Sequence, residues 1–366
     1  MKRWMALFLI VVLIFSVTGC KKTESTPQEA LADQVETPTT PETTTPAPET
    51  TTVTETATET ETTPEFVNPL TGLSCDEAYQ KLRPYGIMIN NMAIQEQRVQ
   101  TSLSHADIIF ETYIEGYATR LLAIYKDISG IGQIGSMRSA RINFAQLAGA
   151  FDSIYLHVGE DPSYCADYLA QTQMDDINFQ EHNCWFREPN GLAIEHTLYT
   201  TDELVTECVA EIGERTETDH TTPWVNFCGE SDNQPPAGGE SCTVLSVPFS
   251  SIQTSSFHYD ETTGLYERWS NGERLTDYKT GDVTAVKNVF EMGTSVSLYE
   301  DGAHMNISLA GGDGYYASEG KVIPIKWTTD ENHLPVFTNT DGTPLTVNAG
   351  TSYICINLAS YSATWE

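Results

Sequence analysis

Basic residues are scarce. Nineteen Lys and Arg stand against 51 Asp and Glu, a formal net charge of −32 at pH 7. Binding to nucleic acid needs a basic face that releases phosphate counterions, and no stretch of this chain supplies one. Long apolar runs are scarce too. After the first twenty residues no segment is apolar and long enough for a spanning helix. Cys-x-x-Cys spacing and His-Glu-x-x-His are absent, so a zinc knuckle or a thiol redox motif lacks its ligands. Gly-x-Ser-x-Gly and the Walker A sequence are missing as well, which removes the nucleophile elbow and the P-loop. No cofactor and no metal are expected.

The first twenty residues carry a signal. Lys2 and Arg3 precede an apolar run from Trp4 to Val17, and Val17-Thr18-Gly19 places small residues before Cys20. This pattern predicts a lipoprotein signal peptide over 1–19, with Cys20 as the lipidated N-terminus. The run is shorter than the roughly 20 residues of a spanning helix. The rest of the chain is expected on the outer face of the cytoplasmic membrane, in the cell envelope. ATP, nicotinamide cofactors and chromosomal DNA are therefore not expected as partners.

Between Thr23 and Glu65 the chain is rich in Thr, Pro and Glu, with ten acidic residues and no Lys or Arg. Such a segment cannot bury enough apolar surface to offset its ordering entropy. A disordered tether is predicted over 20–65, its ends on the order of 35 Å apart. From Phe66 onward the composition is that of a folded protein. Seven cysteines follow Cys20: Cys75, Cys165, Cys184, Cys208, Cys228, Cys242 and Cys355. An exported location permits disulfides. Cys228 and Cys242 bracket a Gly/Pro-rich loop and are the first candidates for a pair, with Cys165 and Cys184 second.

Patterning predicts strands at 85–90, 106–115 and 120–126, a helix over 139–150 capped by Ser139, a buried strand over 152–158 and a helix over 202–214. Beyond about residue 223 the chain turns to short strands with Asn-Gly and Asp-Gly turns. The expected fold class is mixed α+β and α/β. An N-terminal α/β domain over 66–222 would be followed by a β-rich C-terminal domain over 223–366.

Several stretches are specific. They include Asn68-Pro-Leu-Thr-Gly-Leu73, Arg83-Pro-Tyr-Gly-Ile-Met-Ile-Asn-Asn91, Ser104-His-Ala-Asp-Ile-Ile-Phe-Glu111 and Ile134-Gly-Ser-Met-Arg-Ser-Ala-Arg141. In the second half Phe257-His-Tyr-Asp260, Tyr266-Glu-Arg268 and Gly311-Gly-Asp-Gly314 follow in order. In this order the chain resembles the YerB-like family of bacterial lipoproteins, over about 68–365. The resemblance implies a two-part, exported, lipid-anchored protein and no established activity.

Arg138-Ser139-Ala140-Arg141 is the leading candidate site. Two guanidiniums at the mouth of a helix, with its free N–H groups, suit a carboxylate or phosphate. Glu111, Glu115 and Arg120 fall on nearby strands, Asn90 and Asn91 follow another, and His157 ends a third, so all are candidate ligand-binding residues. The competing reading is that Glu111 and Glu115 pair with Arg138 and Arg141 and merely lock strands to helix. His196 beside Glu195 is a further candidate. Gly130-Ile-Gly-Gln-Ile-Gly135 and Ser318-Glu-Gly-Lys321 match GxGxxG and SxxK but read as turns. Trp185, Phe186, Trp224, Trp269, Tyr315 and Tyr316 are either sugar-stacking platforms or packing. The sequence thus points to an extracytoplasmic binding or scaffold protein that recognises an anionic wall-derived ligand or a wall-synthesis partner. The alternative is a hydrolase or transferase acting on a cell-wall polymer, with His157 and Glu111 or Glu115 in acid–base roles.

Overall fold

The structure, a computed structural model, describes residues 66–92 and 99–366. The lipidation at Cys20 and the tether over 20–65 lie outside the described residues. Twelve principal strands and four helices organise the rest. In chain order they are β1 (Tyr85–Asn90), β2 (Ile108–Tyr113), β3 (Thr119–Tyr125), β4 (Ile154–His157), β5 (Asp176–Asn178), β6 (Val244–Ser250), β7 (Gln253–Asp260), β8 (Leu265–Ser270), β9 (Asn288–Thr294), β10 (Gly312–Ser318), β11 (Lys321–Thr329) and β12 (Ser352–Leu358). The helices are α1 (Glu77–Lys81), α2 (Ile142–Ala150), α3 (Cys165–Thr172) and α4 (Asp202–Ile212).

Strand outweighs helix over the described chain as a whole, and all four helices fall in the first half, where helix and strand are roughly balanced. An 11-stranded mixed sheet runs in the order β11-β10-β9-β12-β2-β3-β1-β4-β5, with short strands at its far side. β12 pairs in parallel with both β9 and β2. Both halves of the sequence therefore build one sheet, and the described residues form one compact unit. The boundary expected at 222/223 separates two groups of strands but not two sheets.

A second, antiparallel sheet contains β8-β7-β6. Its inward residues Leu245, Val247, Phe249, Phe257 and Tyr266 alternate with half-exposed ones, the period-two pattern of a sheet with one face in the core. This face packs on the central sheet through Phe249 against Tyr113 and Phe257 against Tyr353. On the opposite face lies α2, which buries Phe144, Leu147 and Ala148. Gly86 of β1 makes room for it: a Cβ there would sit 3.2 Å from the Ala148 Cβ.

The helix predicted over 139–150 starts later. Arg141 is its N-cap and offers no side-chain bond, so Ser139 does not cap it. Residues 138–140 are instead extended, tied by Arg138 N to Met88 O and Ala140 N to Gly159 O. α4 begins where expected, with the Thr201 hydroxyl accepting from Leu204 N. Both motif look-alikes are turns. Gly130 and Gly132 lie in a turn before a short strand, Gln133–Gly135. Glu319 and Gly320, both at positive φ, form the tight β10–β11 hairpin turn.

The disulfide expectation fails. All seven described cysteines are free thiols. Cys228 Sγ faces the side-chain oxygens of Asn233 and Asn348, whereas Cys242 is buried beside Tyr266. Cys184 neighbours Cys208 rather than Cys165.

Candidate functional site

Strand pairing divides the candidate residues between two faces of the central sheet. Directly paired residues in neighbouring strands point the same way. Glu111 pairs with Leu121, and Ile89 with Leu121, so Glu111 lies on the face that β1 continues toward Asn91. Arg120 pairs with Thr112 and Asn90 and lies on the other face, with α2. One residue of offset thus separates Glu111 from the arginines it was expected to meet.

On the first face Glu111 is the centre of a buried polar cluster. Its Oε2 accepts from Arg268 Nη2 at 2.9 Å, Ser255 Oγ at 2.7 Å and Tyr353 OH at 2.6 Å. Its Oε1 accepts from Asn91 Nδ2 at 2.7 Å and Thr119 Oγ1 at 2.8 Å. Burial pushes this carboxyl up, but the Arg268 charge and these donors outweigh it and hold it below the usual range. Glu111 and Asn91 therefore join the two sheets and do not contact Arg138 or Arg141. In the sequence Arg268 stood out only as part of the Tyr266-Glu-Arg268 stretch and not as a site candidate. Its signal is an arginine at an inward strand position between Tyr266 and Ser270, facing a glutamate also at an inward position.

The other face gathers Arg120, Arg138, Ser139, Arg141, Glu115, Asn90 and His157. Glu115 leaves the strand: the chain breaks into a 3-10 turn over Glu115–Tyr117. From there its carboxylate takes Arg141 bidentately, Nε at 2.5 Å and Nη2 at 2.8 Å. The locking reading is thus right for Arg141 and Glu115. It does not extend to the other two arginines. Arg120 Nη1 donates to the Ser139 carbonyl at 2.5 Å, and no carboxylate pairs with it among the described residues. Arg138 donates from Nε to Asn90 Oδ1 at 3.3 Å and from Nη2 to His196 Nδ1, both neutral acceptors.

The electrostatics follow from that shortage. Burial, then the Arg141 and Arg138 charges, push Arg120 down to about 9. Burial lowers Arg138 as well, with Glu195 acting against it. His196 is lowered by burial and by Arg138, which keeps it a neutral acceptor. The buried Tyr155 hydroxyl has no hydrogen-bond partner among the described residues and lies within electrostatic reach of Arg120 and Arg141. Sequence reasoning missed Tyr155. Its signal was position: it shares a face with His157 on the strand beside β1.

His157 is fully buried and occupied at both ring nitrogens. Nδ1 meets the Gly159 carbonyl at 3.0 Å and Nε2 meets Asp176 Oδ2 at 2.9 Å. This geometry ties β4 to β5 and leaves no ring nitrogen for a substrate. Trp224 packs edge-on against Phe151, Phe227, Phe290 and Phe337, which makes it core rather than a sugar platform. No cluster of three or more His, Cys, Asp or Glu positioned for a metal occurs among the described residues.

Fold and site thus define a two-part β-rich protein joined through one sheet, with a cationic cluster at the start of α2. Residues 70–217 match the N-terminal domain, and 245–354 the C-terminal domain, of a protein of unknown function family (DUF3048). The chain belongs to this YerB-like, two-part family. Over 338 residues it is 27% identical to "Putative lipoprotein YerB" of Bacillus subtilis (strain 168), covering 89% of this chain and 87% of that protein. It is also similar to the crystal structure of YerB protein from Bacillus subtilis. The TM-score is 0.70 at 28% identity, over 82% of this chain and 100% of that one.

Proposed function

We propose that this protein is a lipid-anchored, extracytoplasmic binding protein of the cell envelope. Its ligand is an anionic wall-derived group, held between Arg120, Arg138 and the start of α2. One observation carries the reading: of three clustered guanidiniums, the buried Arg120 and the half-buried Arg138 lack a carboxylate partner among the described residues. This occurs in a chain with 51 acidic side chains to choose from. Buried charge is costly unless paired. The uncapped N-terminus of α2 and the unpartnered Tyr155 hydroxyl favour an oxyanion at the same place. The signal pattern ending at Cys20 and the name of the Bacillus subtilis relative support the lipid anchor. The catalytic alternative has less support, because His157 is engaged at both nitrogens and Glu111 is locked to Arg268.

Arg138→Gln is the informative variant, since losing Arg141 would strand Glu115. Thermal shift of the full chain is measured with a disaccharide-peptide muropeptide, glucosamine 6-phosphate and acetate. A saturable rise in the wild type, absent in a variant that melts no earlier, supports the site. No rise with any probe, and an Arg138→Gln variant that melts early, would make the cluster structural and point to protein partners.

A further inference from the structure

The opposite end of α2 holds a second cation with a different setting. Lys126 directly follows β3 and is only 1% exposed. Its backbone N–H donates to Asp107 Oδ2 at 2.6 Å, but no hydrogen bond or ion pair reaches its Nζ among the described residues. Asp107, Asp152 and the Cys75 thiol are within electrostatic reach. Asp107 is itself spoken for by Asn68 Nδ2 at 2.8 Å. Burial pushes Lys126 down to about 8, with Asp107 acting against it.

Lys126 lines a cavity of about 310 Å³. Most of the wall is apolar: Leu70, Pro84, Phe151, Trp224 and Leu334, with Asp219 and His220 as further lining residues. That volume lies at the lower end of the range of small-molecule sites, which combine apolar walls with a few placed polar groups. The wall is already fixed, because Trp224 Nε1 donates to Leu70 O at 3.0 Å and the ring is held by its aromatic neighbours. The Lys126 ammonium thus meets a largely apolar cavity with no carboxylate at ion-pair distance among the described residues. Asp219 in the lining, together with Asp107 and Asp152 nearby, disfavours a dianion such as a phosphate monoester.

We propose that this cavity binds an apolar monocarboxylate, its carboxylate paired with the Lys126 ammonium and its hydrocarbon body packed on Phe151, Trp224 and Leu334. The site is independent of the arginine cluster. A second cavity of about 600 Å³ shares Thr222, Pro223 and Trp224 with this one and is lined mainly by apolar groups, including Phe227, Phe337 and Leu345. It offers room for a longer chain beside the same tryptophan.

The test is calorimetric titration of the full chain at pH 7 with octanoate, and with octanamide as its uncharged counterpart. Tryptophan fluorescence, to which Trp224 contributes, provides a second readout. Octanoate should bind saturably and at least about tenfold more tightly than octanamide, ~1.4 kcal/mol. Lys126→Met should abolish that preference. Arg138→Gln should leave it intact, which separates this site from the anion site above. Equal binding of acid and amide, no saturable octanoate binding, or undiminished binding by a folded Lys126→Met would each overturn the proposal. The acid–amide comparison needs no variant, so a misfolded Lys126→Met would not shield it.

Discussion

Replacing Arg268 by Met asks how firmly the two halves are joined through Glu111. Glu111 comes from β2 and Arg268 from β8; both side chains are fully buried, and their charged atoms lie 2.9 Å apart. Methionine keeps much of the stem but leaves a carboxylate in the core. Removing one partner of a buried ion pair costs roughly 3–5 kcal/mol. Here Asn91, Thr119, Ser255 and Tyr353 still donate to Glu111, so the lower end, about 3 kcal/mol, is expected. Glu111→Leu alone strands the guanidinium and should cost at least as much. The double variant removes both charges, and apolar replacement of a whole buried pair is often neutral. It should therefore be no less stable than Arg268→Met alone, a coupling of at least about 3 kcal/mol. Urea unfolding of the wild type, both single variants and the double variant measures this. Strictly additive losses would refute the reasoning. Glu111 titrates below its usual 4.5 when folded, so its stabilisation is complete above pH 4.5 and fades as pH falls through the folded value. The gap between wild type and Arg268→Met should close in that acid range.

Glu291 of β9 behaves in the opposite sense. Burial pushes its carboxyl up to about 7, and Asn357 relieves this only in part. The unfolded chain ionises near 4.5, so stability is lost as pH rises from there through 7. Glu291→Gln should match the wild type at pH 4.5 and exceed it at pH 8, by on the order of 2 kcal/mol. An equal gap at both pH values in urea titrations would count against a buried, proton-holding Glu291. For the cysteines, mild oxidation of the folded protein should link Cys184 to Cys208, the pair whose thiols are neighbours. Peptide mass spectrometry that finds a Cys228–Cys242 link instead would contradict the packing of those two side chains.

Much of the strand layout was legible because alternation is local. The sequence spans 85–90 and 120–126 lie within a residue of β1 and β3, and the Asn271-Gly272 turn sits at positive φ between β8 and the following short strand. The helix start over 139–150 was not legible. Ser139 is a good capping residue, but the register of 138–140 is set by hydrogen bonds to Met88 and Gly159, distant in sequence. The single sheet across both halves was equally hidden, since β12 reaches its place between β9 and β2 only through long-range pairing.

The candidate site shows the same limit in finer form. Sequence alternation put Glu111 and Glu115 on one strand face, and this assumed that the strand ran straight through 115. It ends at Tyr113, and the 3-10 turn over Glu115–Tyr117 carries Glu115 to the Arg141 side while Glu111 keeps its strand direction toward Arg268. One irregular turn thus distributes two similar glutamates to two different arginines. It also leaves the cluster of three guanidiniums with a single bound carboxylate. Had Glu111 faced the same side, the cluster would have held two carboxylates, and the case for an incoming anion would have weakened accordingly. The charge balance that favours an incoming anion is therefore set by the backbone rather than by the composition.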